Sequence, residues 1–203
     1  MKSLTSKLDE IVENRRKTLH ERIEQRKREM AQNRGEQLVL YQVLGFDVEE
    51  GQKIDLYQNI GRFLYRYAGA LLEDLTETIF EELKNAKSIS IPNSVSSSPQ
   101  MFEIDSYVEE DNKAHEIKWR NATTDGDHVR RDFDKTRCVS SADMIPVRVM
   151  FYMPDRKQAL RIQERVKESY QRDGEAYIEE DAWDYVKRYT GFDLKSYLFD
   201  KIS

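Results

Sequence analysis

Cysteine is almost absent from this chain, in which Cys138 is the only one among 203 residues. A single thiol cannot form an internal disulfide or a cysteine-based zinc site. The sequence also lacks an apolar run of the roughly 20 residues that a membrane span needs, and its first residues lack the apolar stretch of a secretion signal. We therefore expect a soluble, cytoplasmic protein without a membrane partner.

An excess of positive charge is absent as well, because 33 Lys and Arg stand against 38 Asp and Glu, for a net charge of -5. An acidic average argues against indiscriminate binding to nucleic acid. The charge is unevenly distributed, however, since residues 1–34 contain ten Lys or Arg and six Asp or Glu, a net charge of +4. Such a segment could face nucleic acid, although a solvated helix is the simpler explanation.

The N-terminal quarter has the apolar spacing of helices. Apolar residues over 4–30 recur at intervals of three, four and seven, which predicts one long amphipathic helix that ends at Gly35. We expect a second helix over 36–44 and a loop over 45–51. The apolar stripe is thin and needs a partner surface, either the rest of the chain or a second copy. Residues 1–50 are therefore predicted to form a helical N-terminal arm.

The remaining chain, residues 51–203, alternates helical and strand patterns. Helical periodicity predicts helices over 54–86, 127–140, 156–171, 179–189 and 194–201. Short apolar or alternating runs predict strands over 88–91, 101–108, 114–119 and 145–152. The order of these elements predicts an α/β fold with a small mixed sheet flanked by helices.

Two of these strands carry residues suited to catalysis. Side chains alternate between the faces of a strand, so Glu116 and Lys118 share one face, and pairing through the short turn would bring Asp105 beside Glu116. Adjacent carboxylates repel each other, and Mg²⁺, which prefers oxygen ligands, relieves that repulsion. A nearby lysine could orient or deprotonate an attacking water and offset the charge that forms at phosphorus. These residues predict a Mg²⁺-dependent phosphodiesterase site with Asp105 and Glu116 as metal ligands.

The pair Ile104-Asp105 followed by Glu116-Ile117-Lys118 resembles the PD-(D/E)xK nuclease superfamily, with isoleucine in place of proline. The predicted order of helix, strand with Asp, strand with Glu-x-Lys, helix and strand is also that of the superfamily. The resemblance implies a restriction-endonuclease-like core and a further acid from the preceding helix. Glu73 is the candidate for this catalytic and metal-binding acid, and Glu77 is the substitute. Without this context, Glu-x-Lys is an ordinary pattern of an exposed strand.

A closer resemblance lies in two longer segments. Residues 116–128, EIKWRNATTDGDH, and residues 146–159, PVRVMFYMPDRKQA, are similar to the ApaLI-like type II restriction endonucleases. The resemblance extends from around residue 35 to the C-terminus. It implies Mg²⁺-dependent hydrolysis of double-stranded DNA at a short palindrome, GTGCAC in that family, by a homodimer whose nuclease domain spans 51–203.

The segment after the strand with Glu-x-Lys is rich in polar and basic residues that could reach base edges or phosphates. The candidates for contacting DNA are Arg120, Asn121, Thr123, Thr124, Asp125, His128, Arg130 and Arg131. Lys135 and Arg137 could also line the DNA backbone. The alternatives are a turn with a helix cap at Asp125 or Asp127, and ion pairs of the arginines with Asp132 and Asp134.

Other conspicuous side chains are expected to be structural. His115 should point into the core on the face opposite Glu116. The aromatic residues near the C-terminus have helical spacing, which favours packing over base stacking; they are Tyr177, Trp183, Tyr185 and Tyr189.

Two other functions remain open from the sequence. The first is a repair or resolvase-type nuclease that reads DNA structure instead of sequence. The second is a non-enzymatic helical protein that binds nucleic acid or assembles through its charged N-terminal helix. Whether that helix dimerises the protein or clasps DNA is likewise open.

Overall fold

A computed structural model describes residues 2–32, 38–120 and 125–202. The contacts divide the chain into two units, Met1–Leu71 and Leu72–Ser203. This division lies within a long helix, α3 (Val48–Lys84). The predicted boundary after residue 50 stays a prediction. None of the described helices combines the length and the apolar composition that a membrane span requires.

The first unit is helical. Helix α1 spans Leu4–Ala31, and the hydroxyl of Ser3 caps it by accepting a hydrogen bond of 3.2 Å from the amide of Ser6. The long amphipathic helix predicted from the apolar spacing is thus confirmed, while its predicted stop at Gly35 lies outside the described residues. Helix α2 spans Val39–Val43, within the predicted 36–44.

The predicted loop over 45–51 is wrong from residue 48 onward, because α3 begins at Val48. Asp47 and Glu50 form a reciprocal cap that starts this helix. The amide of Glu50 donates to Asp47 Oδ1 at 2.8 Å, and the amide of Asp47 donates to Glu50 Oε2 at 3.2 Å. Two orphan amides are satisfied in this way, so Gly51 continues the helix.

The second unit contains a five-stranded sheet in the order β1-β2-β3-β4-β5 among the described residues. The strands are β1 (Lys87–Pro92), β2 (Met101–Val108), β3 (Lys113–Lys118), β4 (Ile145–Met150) and β5 (Glu175–Ile178). β2 pairs antiparallel with both β1 and β3, whereas β3, β4 and β5 run parallel to one another. The predicted mixed sheet is confirmed.

Helices surround this sheet at the places where the sequence predicts them. They are α4 (Gly126–Ser141), α5 (Lys157–Asp173), α6 (Glu180–Thr190) and α7 (Leu194–Asp200). The sequence did not predict β5, whose four residues pair with β4. Tyr177 therefore lies on a strand, and its assignment to a helical aromatic stripe is wrong. So short an edge strand has too few residues to show a periodicity.

Part of the core of the second unit lies between α4 and the antiparallel strands. Cys138 and Val139 of α4 are buried with Ile91, Phe102, Ile104 and Ala114. This packing holds α4 against the antiparallel part of the sheet. The C-terminal half of α3 is anchored by Phe80, which is fully buried and meets the His115 ring edge-on at 4.8 Å. Two helices are thereby held next to the hairpin of β2 and β3.

Candidate active site

Asp105, Glu116 and Lys118 converge in the hairpin of β2 and β3. The register pairs Ser106 with His115, so the next residues toward the open end are Asp105 and Glu116. Lys118 Nζ lies 3.0 Å from Glu116 Oε1 and 3.5 Å from Asp105 Oδ2. The amide of Ile117 donates to Asp105 Oδ2 at 2.7 Å, which fixes the carboxylate beside the lysine.

A third carboxylate reaches this group from α3. Glu73 Oε1 lies 3.8 Å from Lys118 Nζ. Glu77, one turn later, is close enough to Asp105 for that charge to matter: burial, followed by the charge of Asp105, raises the pKa of Glu77 to about 7. Both helix acids therefore face the hairpin, and Glu73 is the one in contact with the lysine.

Space for a ligand opens beside Asp105. A cavity of about 310 Å³ is lined by Asp105 and Ser106 of β2, by Glu77 and Glu81 of α3, and by Lys87. Of the clustered residues, Asp105 is thus the one that lines this cavity, together with the helix acid Glu77.

The charges of the cluster are mutually dependent. Burial alone would lower the pKa of Lys118, but the carboxylates of Glu116, Asp105 and Glu73 outweigh burial and raise it, so Lys118 is an ammonium ion. Burial alone would raise the pKa of Glu116, but the ammonium groups of Lys118 and Lys135 lower it to about 2. Burial and the Glu116 carboxylate raise the pKa of Asp105.

The fit of a metal ion can be judged from the donor set. As the side chains stand, the described residues contain no group of three His, Cys, Asp or Glu arranged to hold a metal ion. The cation at the point where the carboxylates converge is the ammonium of Lys118. Three carboxylates from three different elements around one cationic group are nevertheless the kind of oxygen donors that hard divalent cations prefer. In chemical type, therefore, the donors fit such an ion.

Lys135 is a member of this cluster that sequence reasoning placed on the DNA-facing surface of α4. Its Nζ instead contacts Glu116 Oε2, and its side chain is 12% exposed. A signal was available, because Lys135 precedes the buried residues Cys138 and Val139 by three and four positions and so lies on the inward face of α4.

Arg148 is a second charged residue that sequence reasoning left without a role. It is fully buried on β4, directly across from Glu116 in the register of β3 and β4. Its guanidinium donates to Gln163 Oε1 at 2.9 Å and lies 3.9 Å from Asp132 Oδ2. A lone arginine within an apolar strand was the available signal, since a buried charge requires a nearby counter-charge.

A family model described as ApaLI-like restriction endonuclease matches residues 1–203, the full chain. The chain belongs to the ApaLI-like restriction endonuclease family. The resemblance to this family stated from the sequence is confirmed, and the family implies a nuclease that binds DNA. No curated protein and no solved structure gives a significant match.

The residues that were predicted to contact DNA fall into two groups. Asn121, Thr123 and Thr124 lie outside the described residues. The others are exposed or partly exposed, at the end of β3 and on the first turns of α4; they are Arg120, Asp125, His128, Arg130 and Arg131.

Several of these side chains have protein partners. Asp125 caps α4 by accepting from the amide of Asp127 at 3.0 Å, as the alternative interpretation of this segment expects. Arg120 contacts Asp155 at 2.9 Å, and Arg130 lies 3.6 Å from Asp127. These pairs are solvent-exposed on at least one side and weak, so they do not prevent contact with a phosphate.

The acids expected to neutralise the arginines of α4 are used elsewhere. Asp132 faces Arg148, and Asp134 accepts a hydrogen bond of 2.9 Å from the hydroxyl of Ser96. Arg131 and Arg137 are exposed on α4.

The opposite face of β3 is structural, as expected for His115. This side chain is fully buried, its Nδ1 lies 3.0 Å from the carbonyl oxygen of Ser106, and its Nε2 lies 2.7 Å from the hydroxyl of Tyr185. Burial lowers the pKa of His115 to about 4. The neutral ring donates to the carbonyl and accepts from the tyrosine.

Proposed function

We propose that this protein is a type II restriction endonuclease that hydrolyses both strands of double-stranded DNA at a short palindrome, GTGCAC or a related sequence. The reaction takes place at a PD-(D/E)xK site made by Asp105, Glu116 and Lys118 with Glu73. The observation that carries the proposal is the contact of one lysine with two carboxylates on paired strands, at 3.0 and 3.5 Å. Membership of a nuclease family supports it.

The order of elements also supports a PD-(D/E)xK core. An acid on α3 is followed by Asp105 on β2, Glu116 and Lys118 on β3, helix α4 and strand β4. The parallel pairing of β3 with β4 places α4 as a crossover connection between them. The catalytic hairpin is thus supported on one side by a helix and on the other by a buried strand.

The metal of this site is Mg²⁺, and Asp105, Glu116 and Glu73 are the residues that would hold it. When bound, such an ion lowers the pKa of water and polarises the phosphate oxygens. Burial and the charge of Glu116 raise the pKa of Asp105. A metal ion near these two carboxylates, in addition to the ammonium of Lys118, would relieve their repulsion.

Lys118 acts as a cationic hydrogen-bond donor in this proposal. Its ammonium is stabilised by three carboxylates, and it therefore donates hydrogen bonds to a phosphate oxygen instead of removing a proton from water. Lys135 binds the other oxygen of Glu116 and keeps Glu116 Oε1 turned toward Lys118. Loss of a positioning contact of this kind commonly costs about 10- to 100-fold in metal affinity or activity.

A twofold palindrome is cut most simply by a protein with the same symmetry, so we propose a homodimer that acts in the cytoplasm. An exposed apolar surface in the first unit supports this assembly. On and beside α2, the side chains of Leu40, Val43 and Leu44 are 66%, 79% and 74% exposed. Light scattering of a Val43→Asp, Leu44→Asp variant should show monomers if this surface joins two copies.

Cleavage of unmethylated plasmid DNA in Mg²⁺ or in EDTA tests the proposed function. Discrete fragments whose sequenced ends share one palindrome would support a type II enzyme, whereas cutting confined to branched or damaged substrates would support the repair or resolvase alternative. Glu109→Gln, an exposed acid in the turn of the same hairpin, is a matched control for changes in the cluster. Absence of cleavage under all conditions would contradict the proposal and favour the non-enzymatic alternative.

A further inference from the structure

A basic groove lies between α1 and the first half of α3, within the first unit. It encloses about 470 Å³ and is lined by four arginines, two from each helix. Arg22 and Arg26 are four residues apart on α1, and Arg62 and Arg66 are four residues apart on α3. Residues at this spacing lie on one face of a helix, so each helix presents two guanidinium groups to the same space.

The charges in this groove are poorly neutralised. Glu29 is the single carboxylate that lines it within the described part of the chain, and it contacts Arg26 at 3.1 Å. Arg22 donates to the neutral Gln25 at 3.3 Å. Arg62 and Arg66 are both exposed, and neither has a hydrogen-bond or ion-pair partner among residues 2–32, 38–120 and 125–202. The groove thus concentrates a charge of about +3 in a chain whose net charge is -5.

The floor of the groove is aromatic. Phe63 is half-buried and Tyr67 is buried, and both line the space beneath the arginines. A rim of guanidinium groups above an apolar floor suits a ligand that alternates anionic and apolar parts. One planar guanidinium can bind a phosphate through two hydrogen bonds. Four arginines therefore provide more binding groups than a single phosphate requires.

We propose that this groove binds the sugar-phosphate backbone of DNA as a second contact, separate from the carboxylate cluster, and supplies affinity without sequence preference. Deoxyribose rings contact the aromatic floor, and consecutive phosphates pair with the arginines of α1 and α3. Contacts to phosphate position a protein on DNA and carry no base information. The groove would therefore hold noncognate and cognate duplexes alike.

The test is the salt dependence of binding to a labelled duplex that lacks GTGCAC, measured by fluorescence anisotropy in EDTA. Each phosphate contact contributes a slope of about -0.9 in log K against log salt concentration. R62A/R66A should therefore bind several-fold more weakly at low salt, with the slope reduced in magnitude by about 1.8. R62K/R66K should retain most of the slope, since it keeps both charges.

The control is R16A/K27A, which also removes two charges. Both residues lie on α1 outside the groove, in exposed ion pairs with Glu13 at 2.8 Å and Glu24 at 2.7 Å. An unchanged slope in R62A/R66A, or an equal loss in R16A/K27A, would overturn the proposal. Because the assay requires no cleavage, its result is independent of whether Asp105, Glu116 and Lys118 form the active site.

Discussion

Replacing His115 by glutamine should change how the stability of the protein depends on pH. The ring is neutral and fully buried between the carbonyl of Ser106 and the hydroxyl of Tyr185. Burial lowers its pKa in the folded protein from 6.5 to about 4. In the unfolded chain the ring takes up a proton as the pH falls below about 6.5, whereas in the folded protein it does not.

The sign and size of the effect follow from this difference. Because the unfolded state binds more protons between pH 6.5 and pH 4, the free energy of unfolding falls as the pH falls through that window. Each pH unit between the two pKa values corresponds to about 1.4 kcal/mol, so His115 removes about 3 kcal/mol of stability by pH 4. Above pH 6.5 the ring is neutral in both states and has no such effect.

Urea unfolding of the wild type and His115→Gln at several pH values, in EDTA, measures the effect as a difference between the two proteins. The pH dependence that other titrating groups cause is common to both proteins and cancels in that difference. Glu77 is one such group: its pKa is raised to about 7, so its protonation below pH 7 favours the folded state and opposes the effect of His115 in each protein. His20→Gln, at an exposed position of α1, is the control. A pH dependence identical in wild type and His115→Gln would refute the assignment of a buried neutral ring.

Three further changes have expected outcomes. Lys135→Ala should slow single-turnover cleavage by about 10- to 100-fold, because Glu116 loses the ammonium that positions it, and Lys135→Arg should recover part of the rate. Gly174→Ala should lower the free energy of unfolding by about 1 to 3 kcal/mol in urea denaturation, because an added Cβ would overlap the Pro146 carbonyl oxygen. Gly61→Ala, in open space within a helix, should instead raise it by about 0.5 to 1 kcal/mol.

The arrangement of Asp105, Glu116 and Lys118 was predictable because it depends on local rules. Alternation along a strand decides which residues share a face, and a short turn decides which residues of two strands are adjacent. The same locality explains why the long helices were predicted from spacing, while the mixed sheet was predicted from the order of the elements. The cap of Asp47 and Glu50 was equally local, and the prediction of a loop over 45–51 gave Gly45 and Gly51 too much weight.

The contacts of Lys135 and Arg148 could not be placed from the sequence in the same way. Each depends on how a helix or a neighbouring strand packs on β3, which involves residues 19 to 32 positions away from Glu116. Spacing indicates which face of α4 is buried, but it does not show which side chain of the sheet that face meets. Strand β5 was missed for a related reason, since it is defined by its pairing with β4 and not by a pattern of its own.

The most direct test of the carboxylate and lysine cluster is single-turnover cleavage of a cognate duplex in Mg²⁺ by Glu116→Gln, with DNA binding measured alongside in Ca²⁺. Glutamine keeps the size of the side chain and removes the charge that both Lys118 and Lys135 contact. We expect the cleavage rate to fall on the order of 10²- to 10³-fold while the duplex is still bound. Cleavage by Glu116→Gln at the rate of the wild type and of Glu109→Gln would contradict the account.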